Sequence, residues 1–412
     1  MSTPTVRATR RHPCKPTYVV PASTRIGFSG TGFIARQVAD VLRRCVDDLS
    51  LSRVLSRRPK DSIEGFDASL VTDSPADLAQ NCDIVFEASG DAIQATRVVE
   101  AAIEAERPVV TMNSEFHVTT GSAFVGQGYV TESLGDQPGC QALLYREVKG
   151  LGFDVRALVN IKGFLNPDPP LEDMKYWAAK QQLALDQTIS FTDGSKLQIE
   201  QALVANGLGA AIAKRGFLGG TVADIKDSEH LGDAAIDRPV SDYVVCAAAP
   251  PGVFILATHP VGDEFPDYGP YAKVKTANGK YFLLLRPYHL CALEVVRSLR
   301  DARDGAPKLL DNGPEPHFGV AAIAKQDIAA GTEIDKALGS NLFRGEALEI
   351  AQDPDHVPIC LIRNARLTRP VSRGQAMHFD DVELPASRAL ELYETVRKKG
   401  AHGTSQIAAR PG

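Results

Sequence analysis

The chain has 412 residues and a formal net charge of −6, with 45 lysines and arginines against 51 aspartates and glutamates. That balance gives no overall attraction to nucleic acid or to an anionic membrane surface. The length allows two or three domains with separate cores, and no run of about 18 apolar residues exists to span a membrane. Seven cysteines (Cys14, Cys45, Cys82, Cys140, Cys246, Cys291 and Cys360) are scattered and never spaced Cys-x-x-Cys. This points to reduced thiols in a cytoplasmic protein and away from a disulfide frame or zinc knuckle.

Residues 1–24 carry Arg7, Arg10, Arg11 and Lys15 without an apolar core, and read as a disordered basic tail. The apolar run Ile26 to Phe28 then predicts a buried parallel strand. Gly30, Gly32 and Ala35 follow at the spacing G-x-G-x-x-G/A. Gly30 permits a tight turn, Gly32 lets backbone approach a pyrophosphate, and Ala35 lets a helix pack close to the strand. Ile34, Val38, Val41 and Leu42 recur at helical spacing, so a helix follows at once. With Thr31, Phe33 and Ile34, these glycines form a candidate dinucleotide-binding turn at a helix N-terminus.

A second strand, Leu51 to Ser56, ends in Arg57 and Arg58 rather than in an acidic residue. Two guanidinium groups there suit a 2′-phosphate, so NADP(H) is favoured over NAD(H). Solvated loop arginines are the plainer alternative. Asp83 to Glu87 is a third strand, ending in the small turn Ala88-Ser89-Gly90. A helix over Ala92 to Glu106 and a strand over Pro108 to Met112 follow. The latter delivers Asn113, Ser114 and Glu115 to the same sheet edge. Ser89, Gly90, Asn113 and Glu115 are therefore cofactor candidates. The alternation predicts an α/β Rossmann-type doubly wound parallel sheet.

Gly128 to Leu134 reads as a strand, followed by Asp136 and Gln137 and a helix from Cys140 to Gly150. Phe153 to Ile161 is a strand running through Asn160 into Lys162, a half-buried cation beside glycine. Trp177 to Leu185 reads as helix. Asp193-Gly194 then opens a helix whose remaining residues are largely apolar. Lys196 and Glu200 are four apart and share a face, with Asn206 further along. Polar groups on a core helix need partners or a ligand. Strand-like residues surround Val253-Phe254, and Tyr281 to Leu285 is a strand ending in Arg286 and His289, which suit an anionic group.

From Asp304 a Pro- and Gly-rich stretch suggests a linker. Phe318 to Leu384 has short β-prone runs in which residues 326–334 and 371–384 resemble two copies of one motif. After Lys399 the chain reads as a disordered tail. The expected division is 1–24 tail, 25–160 NAD(P)-binding domain, 161–305 α+β substrate domain, 306–398 β-rich module and 399–412 tail.

These motifs in this order are similar to the homoserine-dehydrogenase-like NAD(P)-dependent oxidoreductases with a C-terminal SAF-like domain. Within them the chain resembles the second-type, reductoisomerase-like enzymes acting on deoxyxylulose 5-phosphate. The resemblance rests on the glycine turn, Met112-Asn113-Ser114-Glu115, Gly135-Asp136-Gln137-Pro138, Asn160-Ile161-Lys162-Gly163, Thr192-Asp193-Gly194-Ser195-Lys196 with Glu200, Pro251-Gly252-Val253-Phe254, and Arg286-Pro287-Tyr288-His289-Leu290. It implies an α+β homoserine-dehydrogenase-like substrate domain and Lys162 with the Asp193/Lys196 pair beside a reacting carbonyl.

The expected activity is reduction, with or without isomerisation, of a small phosphorylated ketose or polyol precursor. Lys162, Asp193, Lys196 and Glu200 are the catalytic candidates. Asp136, Gln137, Asn160, Asn206, Arg286 and His289 are the substrate-binding candidates. A divalent metal on Glu200 or Asp193 is left open, as is the oligomer, for which a homodimer is expected. The alternatives are a dehydrogenase making a surface-sugar or secondary-metabolite precursor, and a silent nucleotide-binding protein.

Overall fold

A computed structural model describes residues 23–262 and 274–407. Most of the basic tail, residues 1–22, and the last five residues of the C-terminal tail lie outside them. The first layer is built by β1 (Thr24–Ser29), α1 (Phe33–Cys45), β2 (Leu49–Leu55), β3 (Val71–Thr72), α2 (Pro75–Gln80), β4 (Ile84–Glu87), α3 (Ala92–Glu104), β5 (Val109–Thr111), α4 (Ser114–Thr119) and β6 (Val130–Glu132). The six strands are all parallel and lie in the order β3-β2-β1-β4-β5-β6. This is the doubly wound order, whose switch point lies between β1 and β4.

Ile26, Phe28, Ile84 and Phe86 are fully buried because both faces of a parallel sheet are covered. At the strand ends Glu87 is buried, and burial pushes its carboxyl up. It accepts from Ser29 Oγ (3.3 Å), Ser89 N (3.0 Å) and Thr111 Oγ1 (3.3 Å), tying together the carboxyl ends of β1, β4 and β5.

The second layer follows as α5 (Gln137–Gly150), β7 (Asp154–Lys162), α6 (Leu171–Gln181), α7 (Leu185–Thr192), α8 (Ser195–Leu208), α9 (Glu229–Asp233), β8 (Val240–Val245), β9 (Val253–Thr258), β10 (Phe282–Arg286) and α10 (Cys291–Arg303). Its sheet runs β10-β9-β7-β8, with only the β7–β8 pair parallel. Sheet membership changes between β6 and β7, so a boundary at residue 160 cuts through a strand of the second sheet. Ala292, Val295, Val296, Leu299 and Ala302 carry α10 back into the core of the first sheet, against Val38 and Leu42.

The single helix expected over Trp177 to Leu185 is two helices. Gln182 takes a left-handed φ of 56°, which ends α6, and α7 starts afresh at Leu185. The helix α8 is buried from Leu197 to Ala205 almost all round, as a helix enclosed by other layers must be.

The β-rich module comprises β11 (Phe318–Ala324), β12 (Glu333–Lys336), β13 (Phe343–Glu349), β14 (Arg363–Leu367) and β15 (Val382–Glu383), followed by α11 (Arg388–Ile407). β11 pairs with β13, and β14 lies between β12 and β15. The two motif copies face each other: Ile328 bridges Val371 antiparallel, and Gly331 and Gly374 hold φ of 83° and 82°. This module packs on α8, sharing a core that holds Ile199, Ala202, Leu203, Val320, Phe343 and Ala347. The chain remains helical to Ile407 where a disordered tail was expected from 399. Ala389 and Tyr393 anchor the start of α11 against Leu361 and Ile93.

Candidate active site

The glycine turn has the geometry its spacing predicts. Gly30 has φ 105°, and an added Cβ would stand 2.9 Å from Ala88 O, so the turn after β1 touches the turn after β4. Gly32 is the N-cap of α1, has no side-chain cap, and a Cβ there would meet nothing within 4 Å. The helix N-terminus is thus open to an anion. Ala35 is fully buried against the sheet, while Phe33 and Ile34 begin the helix and are half-buried.

Arg58 reaches back to this turn, donating to Thr31 O (3.3 Å) and to Thr31 Oγ1. Arg57 pairs with Asp91 at 2.7 Å. Gly90 has φ 63° with open space at its Cβ position, and Asn113 Nδ2 lies 3.5 Å from Ser89 Oγ. Asn113 also caps α4 through Phe116 N (3.0 Å). The turn and the open helix N-terminus therefore fit the phosphates of a dinucleotide.

Beside this edge, two lysines from distant segments meet five polar groups. Lys196, on the first turn of α8, donates to Ser114 Oγ (2.7 Å) and Glu115 Oε2 (2.9 Å), and its Nζ is 3.8 Å from Asp136 Oδ2. Lys162, at the end of β7, donates to Glu200 Oε2 (3.0 Å) and to Gln137 Oε1. Asn160 Nδ2 also donates to Glu200 Oε2, at 3.1 Å, while its Oδ1 is buried without a partner. His289 Nδ1 is 3.3 Å from Gly135 O, next to Asp136.

Lys196 and Glu200 share a helix face as their spacing predicts, but each is engaged elsewhere. Three carboxylates thus face two ammonium groups. Burial alone would lower the Lys196 pKa. Glu115, Asp136 and Glu200 outweigh it and hold the ammonium well above its ordinary range. Burial would raise Glu200, yet Lys162 and Lys196 pull it below the usual value. Burial keeps Asp136 raised, despite Lys196.

Several expected residues stand elsewhere. Asp193 does not touch Lys196: its Oδ2 pairs with Lys325 Nζ at 2.7 Å and its Oδ1 accepts from Ser195 N. It precedes the helix, so helical spacing does not place it with Lys196. Asn206 is consumed by the β-rich module. Its amide donates to Asn312 Oδ1 and Phe318 O, and its Oδ1 accepts from His317 N and Phe318 N.

Arg286 is paired with Glu294 rather than free for a ligand anion, and its guanidinium stacks 4.5 Å from the Tyr288 ring centroid. Glu115, expected at the cofactor, holds Lys196. Gln137 positions Lys162 and donates to Gly252 O (3.1 Å), so it serves the lysine before any substrate. The two proposed metal ligands do not fit a metal: Glu200 is held by Lys162 and Asp193 by Lys325. Among the described residues no three His, Cys, Asp or Glu side chains group as a metal site.

The sequence reading missed Ser114 as a lysine partner, although it sits inside the Asn113–Glu115 motif. It also missed Glu132 and His117, which lie 3.4 Å apart and fully buried, with the Glu132 oxygens and His117 Nε2 lacking hydrogen bonds. Burial, reinforced by Asp136, pushes Glu132 well above the usual range. Burial drops His117 to about 3. A glutamate in the segment Gly128 to Leu134, which reads as a strand, was the available signal.

Residues 135–295 match the family described as "Oxidoreductase DRL, catalytic domain". No curated protein matches the chain. Among solved structures, scyllo-inositol dehydrogenase from Lactobacillus casei with bound NAD(H) and scyllo-inositol is similar at TM-score 0.38 and 13% identity, over 70% of this chain and 92% of that one. The 1-deoxy-D-xylulose 5-phosphate reductoisomerase from Zymomonas mobilis in complex with NADPH gives TM-score 0.39 and 12% identity, over 67% and 70%. These likenesses are loose and assign no residue and no substrate. No helix of the described residues is long and apolar enough to cross a membrane. Residues 135–295 are thus similar to an oxidoreductase catalytic domain, and they follow a sheet of dinucleotide-binding topology.

Proposed function

We propose that the chain is an NADP(H)-dependent oxidoreductase that reduces the carbonyl of a small ketose or of a polyol's keto precursor. The observation that carries this reading is the convergence of Lys162 and Lys196, with Glu115, Asp136 and Glu200, beside the edge that ends in the glycine turn. NADPH, when bound, supplies a hydride. The chain's residues would supply the rest.

Addition of hydride to a carbonyl carbon leaves negative charge on its oxygen, and a fixed ammonium stabilises that charge. Lys196, held protonated by its carboxylates, is the first choice for this role, and Lys162 is the second. Asp136, raised by burial and 3.8 Å from Lys196 Nζ, is placed to supply the proton that turns the alkoxide into the hydroxyl. Glu115 and Glu200 hold the two ammonium groups in place. The phosphate expected on the substrate has lost Arg286 to Glu294. His289 remains beside Asp136 as a contact for substrate oxygens. The donor set favours direct reduction over a metal-bridged isomerisation.

The test is NADPH oxidation against a panel of free and phosphorylated ketoses and inososes. The expected result is turnover with at least one of them. Lys196→Ala should lower kcat by about 10²–10³, the usual loss for one oxyanion-stabilising donor. Its NADPH affinity should stay within about twofold of the wild type. Full activity in that variant, or no turnover on any carbonyl, refutes the proposal.

A further inference from the structure

We infer that Arg363, from the β-rich module, is a cofactor-specificity residue: with Arg57 it receives the 2′-phosphate that distinguishes NADP(H) from NAD(H). This rests on the dinucleotide reading of the glycine turn. Arg57 leaves the end of β2 and Arg363 opens β14, 306 residues later by the difference of their numbers. Both guanidinium groups converge on one atom, Asp91 Oδ2, at 2.7 Å and 2.8 Å. The other oxygen of Asp91 is occupied, accepting from Ile93 N and Gln94 N at 3.1 Å each and so capping α3.

Asp91 is therefore a fixed post. Its side chain is 8% exposed, whereas Arg57 and Arg363 are 58% and 32% exposed. The post stands directly after Ser89-Gly90, the turn that touches Gly30, and Arg58 lies on Thr31 of the glycine turn itself. Three guanidinium groups answered by one carboxylate leave two positive charges at this edge of a chain that is negative overall. A phosphate monoester carries about −1.5 to −2 at neutral pH and three acceptor oxygens. Each arginine has five N–H donors, so donors remain for it beside the bond to Asp91.

The pyrophosphate is common to both cofactors and belongs to the glycine turn. The extra charge on the arginines therefore matches the group that only one cofactor has. A narrow crevice of about 10 Å³ is lined by Gly90, Asp91 and Glu115 together with Lys336, Cys360 and Arg363, so the module borders the site. Lys336 is paired with Asp186 at 2.6 Å.

The test titrates full-length wild type, Arg363→Ala, Arg363→Lys and Arg57→Ala with NADPH and, separately, NADH, following bound-nucleotide fluorescence. Melting curves are recorded alongside. Arg363→Ala should raise the Kd for NADPH about 10- to 100-fold, the range for a lost charge-assisted hydrogen bond, and leave that for NADH within about threefold. Arg363→Lys, which keeps the charge but not the fork, should fall between. Arg57→Ala should follow Arg363→Ala.

Equal loss for both nucleotides, or no loss for NADPH, overturns the inference and leaves the oxidoreductase reading standing. Wild type that binds neither nucleotide overturns both. Should Arg363→Ala fail to fold, Arg363→Lys decides in its place, since it too must weaken NADPH more than NADH.

Discussion

Two groups of charges flank helix α8, and they are built differently. Just before it, Asp193 and Lys325 form a pair in which one ammonium meets one carboxylate, with side chains 0% and 3% exposed. Lys325 also donates to Ser340 O at 2.9 Å, and Asp193 accepts from Ser195 N, so the pair is closed. On the opposite partners, Lys196 faces Glu115 and Asp136, while Glu200 takes Lys162 and Asn160. There the carboxylates outnumber the ammonium groups, an acid stays raised, and Asn160 Oδ1 is left over. A balanced, closed pair holds two layers together. An unbalanced cluster with spare acceptors is what a reacting group needs, since it can take up or give a proton without being dismantled.

The sharpest way to break this contrast is Lys325→Met. Removing one partner of a buried pair leaves an uncompensated charge, so it should destabilise the fold by about 3–5 kcal/mol in urea unfolding. At 25 °C the folded fraction should keep a kcat within about threefold of wild type, unlike Lys196→Ala. A kcat loss matching that of Lys196→Ala would make Asp193 part of the chemistry after all.

Asn206→Ala should cost about 1–3 kcal/mol of stability, because His317 N, Phe318 N and Phe318 O lose their partner. Its KM should not move. A raised KM with unchanged melting would return Asn206 to the substrate site.

Glu132→Gln has the smallest expected effect and the clearest pH signature. In the fold Glu132 holds its proton well above pH 4.5, while the unfolded chain releases it near that value. Wild type is therefore penalised as pH rises above 4.5. The neutral variant should be stabilised at pH 7 by at least about 1 kcal/mol, one pKa unit's worth. The gain should vanish at pH 4 and below, as melting at the two pH values will show. A gain independent of pH would mean that Glu132 is not a raised acid.

Much of the site could be read along the chain because its evidence is local. Gly30, Gly32 and Ala35 obey a spacing set by one turn and one helix. Lys162 stands out as a cation ending an apolar strand, and Lys196 and Glu200 as charges on an apolar helix. Where reading failed, the missing information was a partner far away in sequence. Arg286 looked available until α10 returned with Glu294. Glu115 looked like a cofactor contact until α4 stood opposite α8, 81 residues on. Asn206, ten residues beyond Lys196 and so about 15 Å along the helix, belongs to another neighbourhood.

By itself the sequence determined the alternation of strands and helices, the glycine turn and the charged positions on α8. These follow from periodicity and backbone sterics, which act over a few residues. Only the tertiary structure decided which charges close on each other and which remain spare. That choice depends on which layers pack together: the β-rich module against α8 for Asp193 and Asn206, and α4 and β7 against α8 for the two lysines. Burial converts those contacts into shifted acids and a fixed ammonium, and burial is a property of the packed layers rather than of any segment alone.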